Sequence, residues 1–330
     1  MATIKGIAEE SGFSISTVSR VLNNDQSLSV PDETREKIYE AAEKLNYRKK
    51  TIKPLVKNIA FLYWLTDFEE LEDVYFKSMR LEVEKLAKQM NVELETYKVS
   101  DGINRIPEDI EGFIAVGTFS DKELEYLKGL TKNGVFIDST PEPNIYDSVR
   151  PDLAQITKRT VDFFMDKGHS DIGFVGGTFH NPNTGGEEMD LRERTFRAYM
   201  EERGLLKEEY IFCHRGFSVE NGYKLMGEAI RKLGGNLPSA FFIAADPIAV
   251  GCLQALNEHG YAIPNKVSVI SVNNISVAKY VSPPLTTFHI DTKELCKNAL
   301  EMLLEQLVEK RKYVKTLYLG SELIVRKSAD

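Results

Sequence analysis

Residues 4–24, IKGIAEESGFSISTVSRVLNN, read as two short amphipathic helices joined by a tight turn. Thr3 precedes the first helix and Ser14 the second, each a side chain suited to cap the free N–H groups of a helix start. Ala8 is small where the two helices would cross, and Gly12 sits where the chain must turn through a positive φ. Val18 faces inward six residues later. A small residue, a glycine and an apolar residue at this spacing are the pattern of a helix-turn-helix. A third helix is expected from Pro31 to Leu45, with Asp32 and Glu33 at the positive end of its dipole. Ile4, Ile7, Ala8, Val18, Val21, Leu22, Ile38, Ala41, Ala42 and Leu45 recur at helical spacing and would form one small core.

Such a module places its second helix in the major groove of DNA. Ile15, Ser16 and Thr17 would reach base edges first, with Ser19 and Arg20 one turn later. Ile15 suits a thymine methyl, while Ser16 and Arg20 suit base or phosphate hydrogen bonds. The formal charge of −8 argues against such a partner until its distribution is considered. Residues 1–60 carry a net +2 and the remainder −10, and RKKTIKPLVK at 48–57 holds five cations and no acid. A basic end on an acidic body is expected where only that end meets phosphates, although a solvated linker would look alike. One small module makes few phosphate contacts. Two, about one DNA turn apart, make a palindromic reader, so a homodimer is expected.

Beyond residue 57 the pattern changes. Apolar, β-rich runs (NIAFLYWL, VELETYKV, GFIAVG, GVFID, DIGFVGG, YIFCHRG, AFFIAAD, KVSVISVNN and a single final run near KTLYLGSELIV) alternate with amphipathic helices. That alternation means parallel sheets with crossover helices. There are too many strands for one sheet, so two α/β lobes with a cleft between them are expected. The domains read as 1–47, a 48–57 linker and 58–330. Lobe 1 takes about 58–149 and 291–311, and lobe 2 about 150–288 and 314–330.

Ligands of such folds sit beyond the carboxyl ends of the strands. Those ends carry Tyr63-Trp64, Gly117-Thr118, Asp138-Ser139, Gly176-Gly177, Arg215-Gly216-Phe217, Asp246 and Asn273-Asn274. Asp, Asn and Arg pair with vicinal hydroxyls and an aromatic ring packs on a pyranose face, so a sugar is the expected ligand.

Other classes fit poorly. No GxGxxG follows the first strand and no GxxxxGK[ST] occurs, and His169, His180, His214, His259 and His289 are scattered without triad or metal spacing. Cys213, Cys252 and Cys296 lie far apart, as buried thiols in a reducing compartment do. With no secretion segment and no long apolar run, the reading is a cytoplasmic protein with no membrane contact, no cofactor and no metal.

The run at 4–24, followed by VPDETREKIYEAAEKLNY, resembles the DNA-binding domain of the LacI/GalR family of bacterial repressors. The shared residues are Ile7-Ala8, Ser11-Gly12, Ser14, Thr17 to Val21, Asn23, Thr34-Arg35 and Leu45-Asn46-Tyr47. The resemblance continues in AADPIAVGCLQALNEHGYAIPNKVSVISVNN, in SPPLTTFHID and in the Gly168-His169 pair. It implies a helix-turn-helix joined to a periplasmic-binding-protein-like body whose DNA affinity responds to an effector. With the reading above, it gives Thr3, Ser14, Ile15, Ser16, Thr17, Ser19, Arg20, Asn23, Tyr47, Lys49 and Lys50 as candidate DNA contacts. For the effector it implies Arg192 as the hydroxyl-binding arginine, Asn273 where the family has an aspartate, and Phe217 where some members have a stacking tryptophan. Tyr63, Trp64, Asp138 and Asp246 complete that set. Family members carry a hinge helix ending in a leucine. Here only 48–57 separates Tyr47 from the next strand, and Pro54 breaks a helix interior, so a hinge helix and a wedging Leu55 stay open. DPIAVG and SPPLTT resemble regulators of galactoside or lactose use. A purine, a sugar phosphate or a partner protein is the alternative signal.

Overall fold

In the computed structural model the structure describes residues 3–22, 25, 28–45, 47, 56–65 and 74–329. The described residues form two compact units, 1–59 with 84–95 and 60–83 with 96–330.

The first unit is built on α1 (Ile4–Ser11), α2 (Ile15–Leu22) and α3 (Asp32–Lys44). Thr3 Oγ1 accepts from the Gly6 N–H at 3.2 Å and starts α1. Gly12, at φ +75°, ends it by donating to the Ala8 carbonyl, a left-handed cap in which a side chain would be strained. Ser14 Oγ accepts from the Thr17 N–H at 3.0 Å and starts α2 at once, so the turn is only three residues. Pro31 stands just outside α3 as its cap, not in its first turn. Ile7, Ala8, Val18, Val21, Leu22, Ile38, Ala41 and Ala42 form the buried core, with Ile4, Leu45 and Tyr47 packed against it. This unit extends past the expected boundary at residue 47. Asn91 Nδ2 donates to Tyr39 Oη at 2.9 Å, and Lys57 pairs with Glu36 at 3.3 Å. The 48–55 part of the expected linker, with Pro54 and Leu55, lies outside the described residues.

The remaining elements are β1 (Val56–Trp64), α4 (Val74–Gln89), β2 (Val92–Lys98), β3 (Gly112–Gly117), α5 (Asp121–Leu130), β4 (Gly134–Ile137), β5 (Asp147–Pro151), α6 (Leu153–Asp166), β6 (Ile172–His180), β7 (Glu187–Met189), α7 (Leu191–Glu202), β8 (Ile211–Arg215), α8 (Val219–Leu233), β9 (Ala240–Ile243), α9 (Asp246–Glu258), β10 (Ser268–Asn273), β11 (Thr286–His289), α10 (Thr292–Leu307), β12 (Thr316–Leu319) and β13 (Glu322–Ile324). One sheet runs β12-β5-β4-β3-β1-β2. The other runs β13-β11-β10-β9-β6-β7, with β8 paired to β6. Pairing is parallel at β3–β4, β4–β5, β6–β9 and β9–β10, and antiparallel at β6–β7 and β11–β13.

Three features differ from the expectation. β5, with sequence DSVRP, has no apolar run, yet it is an inner strand. Its buried Asp147 pairs with Arg311 and accepts from the Lys315 N–H at 2.7 Å. The run expected as one final strand is two. β12 joins β5 in the first sheet and β13 joins β11 in the second, so residues 316–319 belong with lobe 1. β7 is a short strand of exposed residues that pairs with the end of β6.

Candidate functional site

The second helix presents a narrow polar face. Val18, Val21 and Leu22 are buried, while Ile15 is 53% exposed and Ser16 is exposed beside it. Ser14 and Thr17 serve the cap, their hydroxyls 2.8 Å apart. Arg20 Nε donates to Asp25 Oδ2 at 2.7 Å, which fixes the guanidinium beside Asp25. Thr3 caps α1, and Tyr47 packs on the helical core with its N–H on the Ala42 carbonyl. Asn23, Lys49 and Lys50 lie outside the described residues.

Within the second unit a cleft of about 300 Å³ opens between the two sheets. That is the lower end of the volume range for small-molecule sites, roughly 300–1,000 Å³. Its centre is Arg192. The Asp190 carboxylate caps α7 by accepting the Arg192 N–H at 2.7 Å. The same carboxylate grips the guanidinium at Nε (2.7 Å) and Nη2 (2.8 Å). Arg192 Nη1 donates to the Ala244 carbonyl at 2.7 Å, and the guanidinium lies 5.2 Å from the Phe217 ring centre. Burial works against this charge. Asp190, with Asp138 and Tyr75 behind it, more than offsets burial and holds the arginine protonated. Phe217 leans on Phe179, ring centres 4.8 Å apart.

Asp138 and Asn273 end β4 and β10 in left-handed conformations, φ +68° and +112°. There the backbone turns outward and delivers both side chains to the cleft. Ser139 Oγ, Asn273 Oδ1 and Arg150 Nε are buried at this cleft without a hydrogen-bond partner among the described residues. Buried polar atoms are nearly always paired, so three orphans in one cleft mark where a polar ligand's groups would go.

Of the residues expected to meet an effector, the structure brings Asp138, Arg192, Phe217 and Asn273 together. Tyr63, Trp64 and Asp246 are not among the lining residues. Trp64 turns away, stacking on Phe119 at 5.4 Å and donating Nε1–H to Glu123 at 2.8 Å. Tyr63 is buried beneath Arg80. Asp246 is fully buried, and burial pushes its carboxyl up to about 6 against the hydrogen bonds it accepts. The sequence reading missed Ser139 as an orphan, Arg150 on the unrecognised β5, and Phe179 and Glu188 on the β6–β7 hairpin. Tyr75 and Phe76 of α4 line the cleft too. Among the described residues no cluster of His, Cys, Asp or Glu could hold a metal, and no helix is long and apolar enough to cross a membrane.

A three-helix module with an exposed reading face, on a chain whose sheets enclose a polar cleft, defines a DNA-binding regulator. Residues 3–50 match the model of the bacterial regulatory proteins of the lacI family, and residues 161–329 that of the periplasmic binding protein-like domain. The HTH-type transcriptional regulator GanR of Bacillus subtilis (strain 168) is 75% identical over 330 residues, all of both chains. The chain belongs to the LacI family of bacterial regulatory proteins. It is a DNA-binding transcription regulator and not an enzyme. Two solved structures share its fold. The CelR–cellobiose complex has a TM-score of 0.69 and 19% identity, covering 100% of both chains. The lac repressor dimer bound to operator and the anti-inducer ONPF has a TM-score of 0.70 and 20% identity, covering 99% of this chain and 98% of that one.

Proposed function

We propose that this regulator represses a sugar-utilisation operon in the cytoplasm. As a homodimer it binds a palindromic operator, and a small sugar in the cleft, galactose or a galactoside, releases it. The supporting observation is the cleft's stock of groups: orphaned Ser139 Oγ and Asn273 Oδ1, a fixed Arg192 and an aromatic pair. Hydroxyls satisfy the first two, and a pyranose face packs on the last. Charge argues against an anionic ligand. Arg150, Arg192 and Arg194 line the cleft, and so do Asp138, Glu188 and Asp190. Arg192 is paired with Asp190, and the three arginines are matched by three carboxylates, so the lining has no net positive charge to favour a phosphate. In the same fold, CelR holds cellobiose and the lac repressor sits on its operator as a dimer. The sequence motifs at 246–251 and 282–287 favour galactosides.

Occupancy shifts operator affinity only through a difference in effector affinity between two lobe arrangements, typically about 1–3 kcal/mol. The test is calorimetry with galactose, lactose, a purine base and galactose 6-phosphate, each followed by operator titration. The expected result is binding of a neutral galactoside that weakens operator affinity about 5–150-fold. Binding of the purine or the phosphate alone would overturn the reading.

A further inference from the structure

Asp246 stands beside the cleft without lining it, and its carboxylate accepts three hydrogen bonds. It is the first residue of α9 and is fully buried, its carboxylate at the positive end of the helix. Oδ1 accepts from Ser271 Oγ on β10 and from Thr287 Oγ1 on β11, the latter at 2.7 Å. Oδ2 accepts the Ile275 N–H at 2.8 Å. The same Thr287 hydroxyl accepts the Asn274 N–H at 3.3 Å, so it passes the hold of Asp246 one residue closer to the cleft. Arg326 Nη2 donates to Asn274 Oδ1 at 2.7 Å, and Asn274 Nδ2 lies 3.2 Å from His289 Nδ1.

The object of these bonds is a short turn. Asn273 and Asn274 both have positive φ, +112° and +55°, and neither is glycine. A side-chain-bearing residue at φ +112° persists only where its surroundings fix it. Asn273 itself lines the cleft with its amide oxygen buried and without a hydrogen-bond partner among the described residues. Its neighbours on the chain are tethered, while its own acceptor is left for something else.

We infer that Asp246 is a positioning residue for the effector: it clamps the 273–275 turn so that the Asn273 amide faces the ligand. The inference rests on the reading of the cleft as a sugar site, and it explains why a carboxylate that touches no cleft space is fully buried there. The groups facing it are Ser271, Thr287 and the Ile275 amide, with Arg326 the nearest charge and His289 reached through Asn274.

The test is a double-mutant cycle on lactose binding by calorimetry, using wild type, Asp246→Asn, Asn273→Ala and the double variant. The expected result is a loss of about tenfold for each single variant, and a double variant no weaker than about Asn273→Ala alone, because one acts through the other. Multiplying losses, or no loss in Asp246→Asn, overturn the inference. If Asp246→Asn does not fold, Thr287→Val cuts the relay at its other end and enters the same cycle with the same expectation. A second readout needs no ligand. Amide exchange at Ile275 is expected to quicken at least tenfold in the variant while exchange in β3 and β4 is unchanged, and unaltered exchange at Ile275 overturns the clamp. A wild type that binds no galactoside, with Ile275 exchange still quickened by the variant, overturns the sugar reading and leaves the clamp standing.

Discussion

The two polar faces of this chain are built in opposite ways. The reading face of α2 comes from one contiguous run, and its side chains lie in water on a small apolar core. The cleft is gathered from residues as distant in sequence as Asp138, Arg192 and Asn273, and its central polar groups, Ser139 Oγ, Asn273 Oδ1 and the Arg192 side chain, are buried before any ligand arrives. The exposed face gives up solvation only when DNA docks, so its residues contribute to binding and little to folding. The buried cleft already carries its desolvation cost in the free protein, so its residues should be coupled to stability as well as to the ligand.

Arg192→Ala tests the buried half and should have the largest effect. It leaves Asp190, only 3% exposed, as a carboxylate without its counter-ion. Breaking a buried pair by removing one partner costs about 3–5 kcal/mol. At about 2–4 °C per kcal/mol for a domain of this size, the melting temperature should fall by roughly 10 °C. Galactoside binding should vanish in calorimetry while operator binding persists below the melt. Arg192→Lys should rescue little, because an ammonium cannot span both carboxylate oxygens and the Ala244 carbonyl in one plane. A variant that melts normally and still responds to sugar would erase the contrast between the two faces.

Arg20→Ala tests the exposed half. A base-contacting arginine is worth about 1–3 kcal/mol, so operator affinity should drop about 5–150-fold in titrations at fixed salt. The Arg20–Asp25 pair is open to solvent, with side chains 42% and 34% exposed, and such pairs stabilise by about 0–1 kcal/mol. The melting temperature and the sugar affinity should therefore barely move. Loss of sugar binding in this variant would refute the separation into two modules.

The same contrast decides what could be read from sequence. The helical module was legible because every signal is local: Thr3 and Ser14 as caps, Gly12 at the turn and core residues three and four apart. Asp138, Phe217 and Asn273 were legible because they lie at or just past strand ends, where the topology directs them to one place, whereas Arg192 was legible only through the family resemblance. Strand ends fix a position along the chain but not a side, since successive side chains alternate in direction. Trp64 and Asp246 therefore satisfied the same rule and turned away from the cleft. β5 escaped because its burial depends on Arg311, more than a hundred residues later, which neutralises Asp147 and lets a charged strand lie inside a sheet. Phe179 and Glu188 escaped because they lie past the apolar run of β6 and on β7, a strand of exposed residues that pairs with β6.

One contact joins features of both halves: it is exposed, yet it links the two lobes that line the cleft. The turn between β6 and β7 is ordered by Asn181 Oδ1, which accepts the N–H groups of Asn183 (2.9 Å) and Thr184 (3.1 Å). At its tip Asn183 reaches the first residue of α5 on the other lobe. Asn183 Oδ1 accepts the Asp121 N–H at 2.7 Å, and Asn183 Nδ2 donates to Asp121 Oδ1 at 2.9 Å. These two bonds tie the hairpin that carries Phe179 and Glu188 into the cleft to the opposite lobe. Solvent competes for both bonds, so together they are worth about 1 kcal/mol, or roughly fivefold in an equilibrium constant. Asn183→Ala should show this smallest effect as a sugar koff faster by about three- to fivefold in stopped-flow displacement. The on-rate should change little, because variants of one site differ mostly in koff. Stability should stay within about 1 kcal/mol of wild type, since no buried group loses its partner. An unchanged koff would mean that the hairpin tip does not close over bound sugar, and that the buried groups around Arg192 and Asn273 retain the ligand without it.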